Sequence, residues 1–231
     1  MNPEEKKNLE KTFFDVFGEN HFELLEMLDR HGEKMVFNKG RHIFQEGDPA
    51  TGFYWVLSGF VKVCKNLDNE QQQIITILSK GDFIGLSSVL NEIPFSKSAI
   101  VINRQTELVY MPKVHFFAWL EKFPSVVIPL MMKVEQKIDR IENRASFIMR
   151  KTIDQRLAYA LMMLKEKFGS DSNRFLKYHF TPQEFANFIG TTRTTIYRIF
   201  KKFEDQDLII MKGKKIQLIN TNGLERLYRV S

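Results

Sequence analysis

Apolar residues recur at two different spacings along this chain, and each spacing predicts a different kind of element. Near the start they recur every three or four residues, which is typical of one face of an α-helix. Two short amphipathic helices are therefore predicted there, the second beginning after the capping residue Asn20. Their apolar residues are Leu9, Phe13 and Phe17 in the first helix and Phe22, Leu25 and Leu28 in the second.

Between Met35 and Met111 the pattern changes to short β-branched and aromatic runs separated by turn residues. Such runs predict β-strands, which here include Gly52–Leu57, Phe60–Lys65 and Ile74–Leu78. Turns at regular intervals favour an antiparallel barrel or roll. A β-rich domain is therefore expected in the first half of the chain.

A helix is predicted from Val114 to Phe123, and a longer one follows Pro124. In the longer helix, apolar residues alternate spacings of four and three over about three heptads. An internal core stripe has the same spacing, but the length of the seam and its polar flanks favour a coiled coil of two chains. Pro129 lies inside this helix and is expected to remove one hydrogen bond and kink the first turns. The seam residues, which predict a homodimer interface, are Val127, Met131, Val134, Ile138, Ile141, Ala145 and Ile148.

A new helix is predicted to begin at Thr152, because Gln155 stands three residues later and completes a capping box. This helix is expected to run to about Phe168, with a polar loop over 169–174. The break at Thr152 predicts a hinge and a domain boundary. The predicted parts are a β-roll domain (1–123), a dimerisation helix with the hinge (124–151) and a C-terminal domain (152–231).

Two short helices joined by a glycine turn are predicted in the C-terminal domain. Thr181 caps the first helix, Pro182 suits its first position and Glu184 completes a capping box. Gly190 ends that helix and Thr192 caps the next. The second helix has an apolar face of Ile196, Ile199, Phe200 and Phe203, and carries Arg193, Thr194, Tyr197, Arg198 and Lys201 on its other faces. This is typical of a helix-turn-helix that reads DNA, although any helical hairpin with a basic second helix has the same pattern.

The segment that follows favours the DNA-binding interpretation. Leu208–Met211 and Lys215–Ile219 are predicted strands, joined by the turn Lys212-Gly213-Lys214. A helix-turn-helix followed by a hairpin is a winged helix, whose basic hairpin tip commonly contacts phosphates. The predicted fold class is therefore α+β.

Charge supports this division of the chain. The net charge is +6, but residues 151–231 hold 15 basic against 8 acidic residues, whereas residues 1–120 hold 13 against 16. The excess in the last third indicates a polyanionic partner, although a solvated basic face would give the same count.

Composition excludes several other classes of protein. No apolar run approaches the roughly 18 residues of a membrane span, and the charged N-terminus is not a secretory signal. The single cysteine, Cys64, favours a reducing cytoplasm. The sequence has no P-loop, dinucleotide glycine fingerprint, paired metal-ligand histidines or nucleophile elbow, so neither an enzyme nor a metal site is predicted.

The sequence resembles the CRP/FNR family, the catabolite-activator and fumarate-nitrate-reduction regulators of bacteria, over nearly the whole chain. The order of roll, long helix, hinge and winged helix also matches. The matching motifs are EGD (Glu46–Asp48), LSGFVKV (Leu57–Val63), KGDFIG (Lys80–Gly85) and QEFANFIGTTRTTIYRIFKKFEDQDLI (Gln183–Ile209). The resemblance implies a roll of the cyclic-nucleotide-binding jelly-roll type, a symmetric dimer on DNA, and RNA polymerase as a partner if the protein is an activator. The DNA contacts expected are Thr181, Thr192, Arg193, Thr194, Thr195, Tyr197, Arg198, Lys201, Lys214 and Lys215.

The resemblance fails at the effector pocket that it implies. Cyclic-AMP-binding members place a glutamate where this chain has Leu86, and an arginine where it has Ser96 or Lys97. A small hydroxyl pair on the long helix is replaced by Ile141 and Glu142. Cyclic AMP is therefore not expected as the effector, and the sequence leaves open both the identity of an effector and whether the protein needs one. The expected pocket residues are Leu86, Ser87, Lys97, Ser98, Ile141 and Glu142.

The sensor region leaves one alternative to a DNA-binding regulator. One cysteine cannot hold an iron–sulfur cluster, so that cofactor is not expected. Haem stays conceivable because His42, His115 and Cys64 lie in the sensor region. A cyclic-nucleotide- or haem-binding sensor with no DNA output is thus the alternative to a sequence-specific transcription regulator.

Overall fold

The structure, a computed structural model, describes residues 21–67 and 72–229. The first predicted helix and the capping residue Asn20 lie outside the described residues. The chain separates into two compact units, Met1–Asp139 and Arg140–Ser231.

The first unit contains an antiparallel β-roll, as the strand pattern predicts. Its two four-stranded sheets have the strand orders β1-β8-β3-β6 and β2-β7-β4-β5. Val56 and Leu108 from the first sheet and Val61 from the second are completely buried in one core cluster, so the sheets pack face to face. The strands are β1 (Glu33–Asn38), β2 (His42–Phe44), β3 (Gly52–Ser58), β4 (Phe60–Asn66), β5 (Gln72–Ser79), β6 (Phe83–Ile84), β7 (Ser98–Val101) and β8 (Gln105–Pro112).

Helices α1 (His21–His31), α2 (Leu86–Leu90) and α3 (Lys113–Lys122) flank the roll. Leu25 and Leu28 of α1 are buried in a second core cluster, as predicted. Phe22 is instead 63% exposed, so its assignment to the apolar face is wrong. Met27 is buried with the two leucines, so these three residues form the buried face of α1 and Phe22 lies outside it.

The long helix α4 runs over Val127–Arg150 and follows a 3-10 turn at Pro124–Val126. Pro129 is therefore the third residue of α4 and lies in its first turn. Backbone N–H groups in the first turn have no partner within the helix, so Pro129 removes no helical hydrogen bond. The expectation of a lost hydrogen bond is wrong because the α-helix begins later than the sequence pattern indicated.

The second unit contains the predicted helices and hairpin, and one further helix. The capping box at Thr152 is present: Thr152 Oγ1 accepts from Gln155 N at 3.3 Å, and Thr152 N donates to Gln155 Oε1 at 2.9 Å. The C-terminal helix was not predicted. The elements after α4 are α5 (Ile153–Phe168), α6 (Pro182–Ile189), α7 (Arg193–Asp205), β9 (Ile209–Lys212), β10 (Lys215–Leu218) and α8 (Thr221–Arg229).

Candidate nucleic-acid interface

Helix α6 begins at a capping box, as its sequence predicts. Thr181 Oγ1 accepts from Glu184 N at 3.2 Å, and Glu184 Oε2 accepts from Thr181 N at 2.9 Å. Pro182 occupies the first helical turn. The two reciprocal bonds satisfy backbone donors that a helix start leaves unpaired and fix where α6 begins.

The turn between α6 and α7 is built around Gly190. Its φ of 74° and ψ of 58° place it in the left-handed region that glycine adopts without strain. The N–H groups of Gly190 and Thr191 both donate to the carbonyl of Ala186 at 3.0 Å. Helix α6 therefore ends at Gly190, and Thr192 caps the start of α7 two residues later.

Helix α7 has one buried face. Ile196, Ile199, Phe200 and Phe203 are each at most 3% exposed, as predicted. The ring of Phe200 meets that of Phe185 on α6 edge-on, with centroids 5.5 Å apart. This packing fixes the rotation of α7 about its axis and therefore which residues face outward.

The outward residues of α7 are hydrogen-bond donors or carry hydroxyl groups. Thr194, Arg198 and Lys201 are exposed and lie opposite the buried face, whereas the exposed Arg193 and Tyr197 lie along one edge of it. An exposed surface of this composition suits base edges and phosphates in a major groove.

The start of α7 already uses two of the predicted contact residues. Thr192 accepts from Thr195 N at 3.3 Å, and the two threonine hydroxyl oxygens are 2.9 Å apart. Thr195 is half-buried. Its hydroxyl therefore belongs to the cap of α7 in addition to any role on DNA.

The hairpin that follows α7 carries exposed lysines at its tip. Strand β9 pairs with β10 so that Lys212 lies opposite Lys215, and Gly213 has a φ of 61° in the turn between them. Lys214 is exposed on the same turn. Lys212, expected in the turn, ends β9 instead and lies over the Phe175 ring at 5.7 Å. The hairpin therefore presents a compact positive charge.

Two residues near the start of α5 hold the helix-turn-helix, and the sequence pattern did not indicate them. Asp154 accepts from Lys202 of α7 at 2.5 Å. Arg156 Nε donates to the Lys151 carbonyl at 3.0 Å, and its Nη1 donates to the Ile189 carbonyl at 3.2 Å. Both helices of the motif are therefore tied to the same turn of α5.

The seam of α4 is exposed in the single chain. Its side chains Val127, Val134, Ile138, Ile141 and Met131 are between 37% and 65% exposed. Ala145 is exposed as well, and the side chain of Ile148 lies outside the described part of the structure. Within one chain, the described seam residues are thus not an internal core stripe.

The expected effector residues of the roll have mixed environments. Leu86 and Ser98 are buried, Lys97 is half-buried and Ser87 is exposed. Ser98 Oγ accepts from the backbone N–H of Glu46 at 3.0 Å. The other two expected pocket residues, Ile141 and Glu142, lie on α4 in the second unit and are both exposed.

Two phenylalanine rings pack against Gly85, the residue before Leu86. Phe44 and Phe95 stack with centroids 3.6 Å apart and an interplanar angle of 12°. A Cβ built on Gly85 would lie 2.5 Å from Phe95 Cε1, so the ring rests directly on this glycine. Tyr54 lies 5.9 Å from Phe44, and burial raises the pKa of its phenol above the ordinary value. This part of the roll is aromatic and closely packed.

The other candidate ligands in the roll lie in different environments. Cys64 is completely buried, which is not the exposed setting that a reactive thiol needs. His42 is exposed, and His115 stacks on His31 with centroids 4.3 Å apart. Within residues 21–67 and 72–229, no three His, Cys, Asp or Glu side chains are grouped as metal ligands. In the same residues, no helix combines the length and apolarity that crossing a membrane requires.

Models of known protein families match parts of both units. The chain matches the cyclic nucleotide-binding domain model over residues 34–123 and the Crp-like helix-turn-helix domain model over residues 155–227. It is 24% identical to the CRP-like cAMP-activated global transcriptional regulator of Mycobacterium tuberculosis, covering 87% of this chain and 91% of the relative. It is 26% identical to the transcriptional activator protein Anr of Pseudomonas protegens, covering 79% and 75%.

Solved structures show the same fold. The c-di-GMP-responsive global regulator CLP of Xanthomonas campestris superposes with a TM-score of 0.76 at 20% identity, covering 85% of this chain and 98% of that chain. A transcriptional regulator of the CRP/FNR family from Eubacterium rectale, described as putative, gives 0.78 at 21% identity, covering 89% and 94%. The matched relatives are transcription regulators and not enzymes. With a cyclic nucleotide-binding domain followed by a Crp-like helix-turn-helix, this chain belongs to the CRP/FNR family of transcription regulators.

Proposed function

We propose that this protein regulates transcription as a homodimer that places its two α7 helices on an inverted-repeat DNA site. The observation that carries the proposal is the outward surface of α7, where arginine, threonine and lysine side chains are exposed on a helix whose rotation is fixed by its buried face. Two such helices related by a twofold axis would read half-sites about one helical turn apart.

The contacts divide between bases and phosphates. Arg193 and Arg198 carry planar forks of donors that suit guanine O6 and N7, and Thr194 and Tyr197 lie beside them on the exposed surface. Lys201, Lys214 and Lys215 serve phosphates. Thr181, Thr192 and Thr195 stand in the first turns of α6 and α7, where backbone N–H groups and hydroxyls also suit phosphate.

The dimer forms through the seam of α4. An exposed apolar stripe along 24 residues of helix is unfavourable in water, and pairing with a second copy buries it.

The functional parts of the chain are a β-roll domain (1–123), a dimerisation helix with its hinge (124–151) and a winged helix (152–231).

Cyclic AMP is not the effector of this protein. The pocket expected in the roll has Leu86 in place of a carboxylate, and the preceding residue, Gly85, is covered by the Phe44–Phe95 stack. Ile141 and Glu142 offer no small hydroxyl pair. The single buried Cys64 argues against an iron–sulfur cluster.

The position of the DNA site relative to a promoter decides whether the protein activates or represses transcription. A site upstream of a promoter would allow contact with RNA polymerase and activation, whereas a site overlapping the promoter would give repression. A protein with these partners acts in the cytoplasm. The alternative, a cyclic-nucleotide or haem sensor without DNA output, receives no support from the matched relatives.

Selection from random double-stranded DNA tests the proposal. The wild-type chain is expected to enrich an inverted repeat with half-sites about one helical turn apart. Arg198→Ala is expected to lose the preference for one guanine in each half-site, and the matched change Arg41→Ala, at an exposed position in the roll, is expected to change nothing. Enrichment of no sequence, or of isolated half-sites, would contradict the proposal.

A further inference from the structure

Arg193 and Tyr197 are exposed and contact each other along one edge of the buried face of α7. Arg193 Nη2 donates to Tyr197 Oη at 3.2 Å, and the guanidinium carbon lies 5.5 Å from the centre of the phenol ring. The two residues are four positions apart and therefore neighbours on one side of the helix. Tyr197 is 49% exposed, so the pair stands at the surface proposed to meet DNA.

This contact leaves the arginine able to bind a base. A guanidinium has five N–H donors in a fixed fork, and the bond to Tyr197 uses one of them. A bidentate contact with guanine uses two more. The phenol oxygen thus accepts from one N–H of the guanidinium, and the remaining N–H groups can still bind a base.

The contact also changes the cost of ordering the arginine. An arginine side chain has many rotamers and loses that freedom when it binds a base. A tyrosine has two side-chain torsions and a rigid ring, so it orders a neighbour with little loss of its own freedom. Arg193 resting on Tyr197 is therefore partly ordered before DNA arrives.

We propose that Tyr197 is a positioning residue that holds Arg193 in the orientation in which it reads guanine. Tyr197 then sets the selectivity at the base pair of Arg193 without reading a base itself. This inference rests on the proposed function, in which α7 is the recognition helix.

A double-mutant cycle on the full-length chain tests the inference. The base pair of Arg193 is first identified as the one whose preference disappears in selection with Arg193→Ala. Affinities are then measured for the selected site and for the same site with that pair replaced in both halves. Wild type, Arg193→Ala, Tyr197→Ala, Tyr197→Phe and the double variant Arg193→Ala/Tyr197→Ala are compared.

Tyr197→Ala is expected to reduce the preference for guanine at that pair by about fivefold, since both the ring and the hydroxyl contact are lost. Tyr197→Phe keeps the ring and is expected to give a smaller loss. Both variants leave the preference at the Arg198 base pair and the salt dependence unchanged. In the Arg193→Ala background, Tyr197→Ala has no further effect.

The contrary outcomes are distinct. If Tyr197→Ala weakens binding equally with and without Arg193, or changes the preference at another base pair, Tyr197 contacts DNA itself and the inference is wrong. Tyr197→Phe preserves size and packing and therefore serves as the test if Tyr197→Ala misfolds. An unchanged preference for guanine in Tyr197→Phe would then overturn the role of the hydroxyl. If wild type enriches no sequence, the proposed function fails, whereas normal enrichment with an additive cycle removes only this inference.

Discussion

Lys202 Nζ of the recognition helix lies 2.5 Å from Asp154 Oδ2 in the first turn of α5. Lys202 is adjacent in sequence to Lys201, which is exposed on the outward surface, but it points to the neighbouring helix. Asp154 also stands where the dipole of α5 favours a negative charge. Lys202 is therefore a structural partner within the winged helix, although its charge and its place on α7 resemble those of a DNA contact.

The Asp154–Lys202 pair is expected to contribute modestly to folding. Both side chains are partly exposed, so the coupling between Asp154→Ala and Lys202→Ala in urea unfolding should be about 0.2–1 kcal/mol. Lys202→Ala should leave the salt dependence of DNA binding unchanged. A salt slope that falls in Lys202→Ala as much as in Lys201→Ala would show that Lys202 contacts phosphate.

The dimer is expected to dissociate when charge enters the seam. Ile138→Lys with Ile141→Lys places four like charges in the interface of two chains, which heptad packing does not tolerate. Sedimentation should then show monomers with much weaker DNA binding. Gln136→Lys with Asn143→Lys adds the same charge on the opposite face of α4 and should leave the dimer intact. A DNA-binding dimer that survives the first double change would exclude the seam.

The phosphate contacts are expected to appear in the salt dependence. Lys201→Ala, Lys214→Ala and Lys215→Ala should each weaken binding to all sequences to a similar degree. Each should also lower the slope of log K against log salt by about one. Lys80→Ala, an exposed lysine of the roll, is the control and should change neither quantity. Equal slopes before and after the three changes would exclude these lysines as phosphate contacts.

Cyclic AMP is expected to have little effect on DNA affinity. Leu86 leaves the ribose hydroxyl without an acceptor, and the Phe44–Phe95 stack packs against the neighbouring Gly85. Calorimetry with the full-length chain checks this directly, and cyclic GMP serves as a second cyclic nucleotide. Micromolar binding of cyclic AMP would overturn this interpretation of the pocket.

Thr194 is expected to set which base is accepted at one position of each half-site. The best-known members of the family have a glutamate there, whose carboxylate accepts from cytosine N4. Thr194 is exposed, shorter and uncharged, and its methyl group suits a thymine methyl. Selectivity for cytosine should be lost, a change of about 1–3 kcal/mol. Selection with wild type and Thr194→Glu checks this, and recovery of the same base with equal stringency would show that Thr194 does not read DNA.

Local signals predicted most of the winged helix. The capping boxes at Thr152 and Thr181 each need partners only three residues away, so the sequence places them directly. The buried face of α7 also follows from spacing alone. By contrast, α8 contains Asn222 and Gly223, which are poor helix formers, and the burial of Leu224 and the Tyr159–Tyr228 ring contact support it. Tertiary packing of this kind leaves no short-range pattern.

Long-range pairs account for the features that the sequence did not indicate. Phe44 and Phe95 come from distant parts of the chain, so their stack becomes visible only when β2 and the segment before β7 lie side by side. Asp154 and Lys202 are likewise far apart in sequence. In the candidate interface the residue types were predictable, but the Arg193–Tyr197 contact depends on rotamers that spacing does not determine.

Arg156 joins the segment after α4 to the end of α6 through the carbonyls of Lys151 and Ile189. Separating either end would leave a carbonyl without its donor and a half-buried cation without its acceptor. The two ends are therefore expected to open as one cooperative unit, so that their amide hydrogens exchange with solvent together. We therefore expect the order of the turn that positions the recognition helix to depend on the order of the segment leading into α5.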